Sequence, residues 1–391
     1  MSDSFSDLIH EAEAELSREL GVQVDLVDAA VLDSPHVVLR CRVVGMSAVP
    51  CSVIAKQNVA TEFTQPSDSG TSDRLLNEWA ALQFLQGTDA SDRAWPRILA
   101  ASRSGSFVVI EDLGDHATVE DVLFGDSEDA AAGGLVALGA SLGTLHSVAR
   151  HDTDAFTAIQ SDLNTSSPTS DSTFDVRGMK HVFTDCFSVL DITPHDRFWA
   201  CVDSLETAIH SPGPFSSVIH ADAGPQNFLW EGETASMIDF EFVAVGHGLL
   251  DLVSGRLGFP HSDQPFSVPM RVVDRIEASY RNTACNAASV ASTDEVFYRG
   301  VTDACAHWAL TRWARLWRRL FRDAAPDGRD SDLTATRSQA FTVYRRFVAT
   351  ATKFGHCGPI TETVQTYCDA LRKRLPDVRE TPDYPAFDCG S

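Results

Sequence analysis

The chain has 391 residues, 43% of them hydrophobic, and a formal net charge of −24. That length accommodates two lobes with separate cores, while the acidity and the lack of a basic stripe with interleaved aromatics exclude a nucleic-acid binder, because a phosphate backbone would be repelled. The nine cysteines include no C-x-x-C pair, which argues against both a disulfide framework and a zinc site.

The acidic N-terminus, Met1 to Asp7, leads into an amphipathic helix within residues 1–20 and not into a signal peptide. Strands are predicted near 24–32, 36–44 and 51–57. Lys56 closes the third and is one of only four lysines. A lysine on an apolar strand is ordinarily an edge charge meeting solvent, and its scarcity here points to a specific use. Residues 64–73 read as a polar loop able to move when a ligand enters. Residues 74–85 carry apolar side chains at 75, 76, 79, 82 and 85, a helical spacing that sets Glu78 one turn from Leu75 and Leu82. Strands near 97–101 and 107–111 follow. The second of these runs through Ile110 into Glu111-Asp112-Leu113-Gly114, the form of a hinge between lobes. There the backbone groups of Ile110, Glu111, Asp112 and Leu113 are expected to be free to pair with a purine edge, although any buried strand ending in a turn reads the same way.

Beyond Gly114 the chain reads as mostly helical. Its most apolar stretch, residues 131–145, contains four glycines and a serine; it is too short for a bilayer span and reads as a core helix. Residues 161–172, rich in Ser, Thr, Asp and Pro, read as a surface loop. Residues 296–324 place Trp308, Trp313 and Trp317 among Arg312, Arg315, Arg318 and Arg319, which suits a core helix with solvated arginines better than a stacking platform. Residues 376–391, rich in Pro and Asp, read as a flexible tail.

The chemistry is concentrated in one region. A strand-like Ser217-Val218-Ile219 runs into His220-Ala221-Asp222-Ala223-Gly224-Pro225-Gln226-Asn227, and a second one ends in Met237-Ile238 before Asp239-Phe240-Glu241. Phosphoryl transfer needs a carboxylate to orient the attacking hydroxyl, and an amide oxygen and a second carboxylate to hold the magnesium that bridges the phosphates. Asp222, Asn227 and Asp239 supply these in order. Each Asp alone would be an ordinary turn or cap residue; the constellation is not.

At this point the chain resembles the aminoglycoside phosphotransferase and choline kinase-like family of small-molecule kinases, distant relatives of protein kinases. Gly246 and Asp251-Leu252, following Asp239-Phe240-Glu241, are similar to the family's run in which a later Asp braces the catalytic loop. The resemblance implies an α+β, two-lobe protein-kinase-like fold. Its small β-rich, nucleotide-binding lobe would span residues 1–112, and its larger, mostly helical catalytic and acceptor-binding lobe 113–391. ATP or GTP would be the co-substrate, with Mg2+ held by Asn227 and Asp239, and Asp222 would be catalytic. Lys56 would pull on the phosphates, braced by Glu78 or, failing that, Glu62. His220 and Asp251 would support the loop, and His146, ending a Leu-Gly-Thr-Leu-His run similar to one in the family, would be a packed, hydrogen-bonded helix residue.

The segment Leu32-Asp33-Ser34-Pro35-His36 departs from protein kinases in having no glycine to cover the phosphates, which leaves Ser34 as the candidate there. Only eleven residues separate Asp239 from Asp251, too few for a protein kinase's activation segment, so a small acceptor is expected. The net charge favours a cationic acceptor such as an aminoglycoside, with Asp263, Asp274 and Glu277 the nearest acidic residues after the brace. An acidic proteome would give the same balance, and a sugar, homoserine or choline-like acceptor is the alternative. A cytoplasmic enzyme without membrane or nucleic-acid partners is expected; the oligomeric state stays open. The rival from another class is a metal-dependent hydrolase with His220, Asp222, Asp239 and His247 as ligands. Asn227, a poor transition-metal ligand, and the otherwise unused Lys56 and Glu78 weigh against it. A non-catalytic nucleotide-binding relative would have no need of Asp222.

Overall fold

The computed structural model describes residues 3–32, 37–45, 50–57, 70–88, 93–150, 152–165, 175–259, 266–284, 293–321 and 330–388. Ser34, Glu62 and Asp263 lie outside them, as does most of the 64–73 loop. The chain begins with helix α1 (Asp3–Leu20), strands β1 (Asp25–Val31), β2 (Val37–Val44) and β3 (Ser52–Gln57), helix α2 (Gly70–Gln86) and strands β4 (Ile98–Ser102) and β5 (Phe107–Glu111). Helices α3 (Val119–Leu123), α4 (Glu128–Ala149), α5 (Thr153–Asp162), α6 (Lys180–Ser188) and α7 (Asp196–His210) follow. Short strands β6 (Ser216–Ile219), β7 (Phe228–Glu231), β8 (Thr234–Met237) and β9 (Ala244–His247) then lead into the helices α8 (Leu249–Arg256), α9 (Met270–Ala284), α10 (Asp294–Leu320), α11 (Asp330–Phe354) and α12 (Gly358–Arg374).

Two compact units result. The first comprises Met1–His116, Asp152–Pro168 and Ser236–Ala244; the second comprises Ala117–His151, Thr169–Ala235 and Val245–Ser391. The first is built on an antiparallel sheet of order β1-β2-β3-β5-β4. β3 sits at its centre, and Val53, Ile54, Ala55 and Lys56 are all buried, as a strand covered on both faces requires. α1 lays Leu8, Ala12 and Leu16, spaced by four, against Leu39, Cys41, Val53, Ala55 and Val109. Each leucine so buried stabilises the unit by about 1.5–3 kcal/mol.

α2 is buried on more than one side, which is why its apolar pattern is broad. Its Asn77 is fully buried; the amide nitrogen donates to the carbonyls of Glu241 and Val243, both at 2.9 Å, and its oxygen accepts from Gln160 on α5 at 2.6 Å. Through this one side chain, α2 ties down the segment that carries Asp239.

In the second unit α4 packs along α9, and two of the glycines in its apolar run permit the approach. A Cβ at Gly139 would come within 2.7 Å of the Ile276 carbonyl oxygen, and one at Gly143 within 2.8 Å of that of Tyr280. The helix has 22 residues, so shortness does not distinguish it from a membrane span. Its burial does: the apolar window lies mostly inside the protein. The tail also differs from expectation. Thr381 N donates to Thr342 Oγ1 at 2.8 Å, Tyr384 N to the Ser267 carbonyl at 3.0 Å, and Val378, Tyr384 and Ala386 are buried. Pro and Asp signal a loop, but apolar side chains two to six residues apart anchor it as far as Asp388. On α10, Trp308 is buried and Arg315, Arg318 and Arg319 are exposed, whereas Arg312 is drawn inside.

Candidate active site

Within the first unit, Lys56, Glu78 and Asp239 meet. Lys56 is 8% exposed, and its Nζ lies 2.8 Å from Glu78 Oε2 and in short contact with Asp239 Oδ1. Burial alone would push the ammonium towards neutrality, but the two carboxylates outweigh it and hold the Lys56 pKa above the usual range. The charge therefore persists at any physiological pH. Lys56 can adopt this pose because the β3 register, Lys56 opposite Val38 and Val108, is fixed by apolar neighbours.

Asp239 has φ 65° and ψ 63°, a left-handed conformation that disfavours non-glycine residues by about 1–2 kcal/mol and that Asp tolerates better than most. What holds it there is the next turn, gripped by Asn77 and flanked by Arg74. The Arg74 guanidinium lies 3.5 Å from Glu241 Oε1 and 4.6 Å from the Phe242 ring centroid.

The segment expected to act as a hinge is only partly free. Ile110 is paired across to both Ile54 and Ile98, and Glu111 N donates to the Arg97 carbonyl at 2.9 Å. Those two residues spend backbone groups on the sheet, because β5 is central and a central strand is laddered on both edges. The backbone groups of Asp112 and Leu113 make no hydrogen bond among the described residues. The side chains have other tasks. Glu111 accepts from Arg93 Nη2 and Arg97 N, both at 3.1 Å. Asp112 lies 3.1 Å from Arg40 Nε and accepts from Gly114 N at 3.0 Å.

The second unit holds Asp222, Asn227, His220 and Asp251. β6 delivers the chain to Ala221, which is again left-handed at φ 63°. The buried Asp251 carboxylate pins that turn: Oδ2 accepts from His220 N at 2.7 Å and Oδ1 from Ala221 N at 3.0 Å. His146 Nε2 lies 3.2 Å from Asp251 Oδ2 and its Nδ1 2.9 Å from the Tyr280 hydroxyl, so α4, α8 and α9 converge beneath the loop. The His220 ring stacks on Phe228 at 6.1 Å. Downstream, Asn227 Nδ2 donates to the Asp222 carbonyl at 2.9 Å and to Asp222 Oδ2 at 3.0 Å. With the amide nitrogen committed twice, the orientation of the side chain is fixed and its Oδ1 is the atom left for a ligand.

Asp251→Ala should be costly. It leaves two buried backbone N–H groups without their acceptor at a left-handed turn, a loss on the order of 3 kcal/mol, and lets the neighbouring Asp222 wander. A chemical denaturation midpoint and turnover at a temperature where the variant stays folded would both drop; an unchanged midpoint with full turnover would show that Asp251 is dispensable to the loop.

Glu277 and His247 differ from expectation. Glu277 is no surface carboxylate: Arg256 grips it from Nε at 2.6 Å and Nη2 at 2.8 Å, both partners buried. A carboxylate at that position on α9 faces α8, where the arginine waits. Asp274 is 58% exposed at the side chain and 3.8 Å from the same guanidinium. His247, a ligand in the hydrolase reading, stacks on Phe215 at 5.2 Å, accepts from Leu249 N, and is pushed down to about 4 by burial. Among the described residues it joins no cluster of metal-ligating atoms with His220 and Asp222.

Sequence reasoning passed over Tyr280, whose hydroxyl meets His146 in the second unit, and Asn77, whose amide holds the Asp239 segment in the first. Asn77 was detectable as a polar residue within an apolar helical run; Tyr280 carried no such signal, because a tyrosine in a helix reads as core.

A model of the phosphotransferase enzyme family matches residues 56–284. Among solved structures, the chain is similar to macrolide 2'-phosphotransferase MphH from Brachybacterium faecium, at 14% identity, covering 86% of this chain and 98% of that one with a TM-score of 0.44. It is also similar to choline kinase from Cryptosporidium parvum, at 11% identity, covering 95% and 100% with a TM-score of 0.44. A choline/ethanolamine kinase family protein from Mesorhizobium loti is 13% identical, with coverage of 92% and 99% and a TM-score of 0.44. No curated protein matches the sequence.

Proposed function

Since the chain belongs to the phosphotransferase enzyme family, we propose that it moves the γ-phosphoryl group of ATP or GTP to a hydroxyl of a small molecule. The α+β, protein-kinase-like fold fits this, with a β-rich N-terminal lobe and a mostly helical C-terminal one. In this reading residues 1–112 form the nucleotide-binding lobe and 113–391 the catalytic and acceptor-binding lobe. The observation that carries it is the Asp222–Asn227 pair: a carboxylate on a loop fixed by Asp251, beside an amide whose nitrogen is spent and whose oxygen is open.

Asp222 orients the acceptor hydroxyl and takes its proton. The buried, permanently charged Lys56, held extended by Glu78, meets the phosphates. The backbone of Asp112 and Leu113 offers the purine its partners. The donors suit a hard divalent cation, since Asn227 Oδ1 and the Asp239 carboxylate are oxygens and magnesium prefers oxygen. Bound there, magnesium would neutralise charge on the phosphates. Lys56 already occupies one Asp239 oxygen, so the ammonium and a cation compete for that carboxylate. Family membership and the short connection through β9 to α8 favour a small acceptor: no room exists between Asp239 and Asp251 for a peptide-docking segment.

The net charge of −24 favours a cationic acceptor such as an aminoglycoside. Incubating the protein with ATP or GTP, Mg2+ and a library of hydroxyl-bearing antibiotics and metabolites, and reading product mass, tests the reaction. For a cationic acceptor kcat/KM should fall steeply between about 10 mM and about 500 mM salt, while nucleotide affinity changes far less. A neutral or anionic product, or a flat salt profile, rejects the cationic acceptor; no phosphorylated product from any acceptor rejects the transferase reading.

A further inference from the structure

Away from the loop of Asp222, the second unit gathers four metal-ligating side chains that the phosphoryl-transfer chemistry does not use. Cys201 comes from α7, Asp303 from α10, and His356 and Cys357 from the turn between α11 and α12. The ligand atoms of Asp303, His356 and Cys357 all lie within 4.8 Å of one another. His356 Nε2 is 2.8 Å from Asp303 Oδ1, and Cys357 Sγ is 3.3 Å from the same oxygen. The Cys201 thiol hydrogen-bonds with that of Cys357 and accepts from the backbone N–H of Ile360 in the first turn of α12.

We propose that Asp303, His356, Cys357 and Cys201 form a tetrahedral site for a thiophilic divalent cation of the zinc class, clamping α7, α10 and the α11–α12 turn together.

Distances, chemistry and access support this. Zinc holds nitrogen and oxygen at about 2.0 Å and sulfur at about 2.3 Å, so tetrahedral ligand atoms stand about 3–4 Å apart. The Asp303–His356 and Asp303–Cys357 separations, 2.8 and 3.3 Å, need to open by only a fraction of an ångström, while the Cys201 sulfur stands outside that close trio and swings in as the fourth ligand. Two thiolates and an imidazole select zinc-class ions over magnesium, so the site would not compete for the cation of the phosphoryl-transfer centre. Asp303 and Cys357 are buried while Cys201 and the His356 ring are partly exposed, which leaves the metal a way in. Cys357 adopts φ 58°, and that unusual backbone aims its sulfur at Asp303 and Cys201. In the metal-free state the same atoms form a hydrogen-bonded network around one carboxylate oxygen. Binding exchanges its two thiol protons for the cation: M2+ + 2 RSH → M(SR)2 + 2 H+, with His356 ligating as the neutral ring.

The test uses the full chain, reduced, stripped with a chelator and titrated with Co2+ in excess Mg2+ so that oxygen sites are covered. The expected result is a thiolate-to-cobalt charge-transfer band and the visible bands of tetrahedral coordination, saturating at one equivalent and displaced by Zn2+. Zn2+ should also raise the unfolding midpoint. Cys357→Ser and Cys201→Ser should each cut the charge-transfer intensity at least about twofold. Should either fail to fold, His356→Asn, at a partly exposed ring, must lower cobalt affinity at least about tenfold while leaving the metal-free midpoint nearly unchanged. Absence of a charge-transfer band in reduced protein overturns the site, as does a band of full intensity in Cys357→Ser or one indifferent to His356→Asn. Recovery of a Cys201–Cys357 disulfide with no cobalt uptake after its reduction would mark the pair as redox-active thiols and equally overturn it.

Discussion

Asp222→Asn should leave fold and nucleotide affinity intact and lower turnover at least about a hundredfold, the usual worth of a positioned proton acceptor. The substitution is nearly isosteric. The amide oxygen of the introduced side chain can still accept from Asn227 Nδ2, which lies 3.0 Å from Asp222 Oδ2 in the wild type, and Asp251 still holds the loop through His220 N and Ala221 N. What disappears is the negative charge that would orient the acceptor hydroxyl and receive its proton. Turnover with an acceptor identified by product mass, alongside nucleotide binding by calorimetry, separates the effects. Near-normal turnover would remove Asp222 from the mechanism, and a parallel loss of nucleotide affinity would give it a binding role instead.

Features carried by local pattern were legible in the sequence, and features created by distant contacts were not. The strand around Lys56 and the helix around Glu78 follow from β-branched runs and helical spacing, and the pair meets as the family resemblance implied. The involvement of Asp239 with Lys56 could not be read, because it depends on Asn77 fastening a segment more than a hundred residues away. Ile110 and Glu111 looked free because strand periodicity does not say which strands become central; β5 has neighbours on both edges. The pairing of Glu277 was not legible because its partner, Arg256, lies on another helix. Cysteine spacing carried no sign that Cys201 and Cys357 meet, because tertiary packing of α7 against the α11–α12 turn brings them together. The tail misled for a compositional reason: Pro and Asp set its chain path, but Val378, Tyr384 and Ala386 decide whether it docks.

Asp239→Ala should abolish the magnesium-dependent part of nucleotide binding, a loss of about a hundredfold or more, because a hard cation bridging phosphates has lost its best-placed carboxylate. Alanine also sits poorly at φ 65°, so Asp239→Asn is the cleaner companion: asparagine tolerates the left-handed region and keeps the shape while losing the charge. In either variant Lys56 keeps Glu78 at 2.8 Å, so the buried ammonium is not orphaned and the first unit should remain folded. Lys56 is also released from Asp239, its second carboxylate partner in the wild type. Magnesium-free nucleotide affinity should therefore hold or rise slightly while the gain on adding magnesium vanishes. Titrations of wild type and both variants, with and without magnesium, test this directly. If magnesium still tightens nucleotide binding in Asp239→Asn to the wild-type extent, Asp239 is not a ligand. If magnesium-free affinity collapses along with the magnesium-dependent gain, Asp239 acts chiefly by holding Lys56 in place.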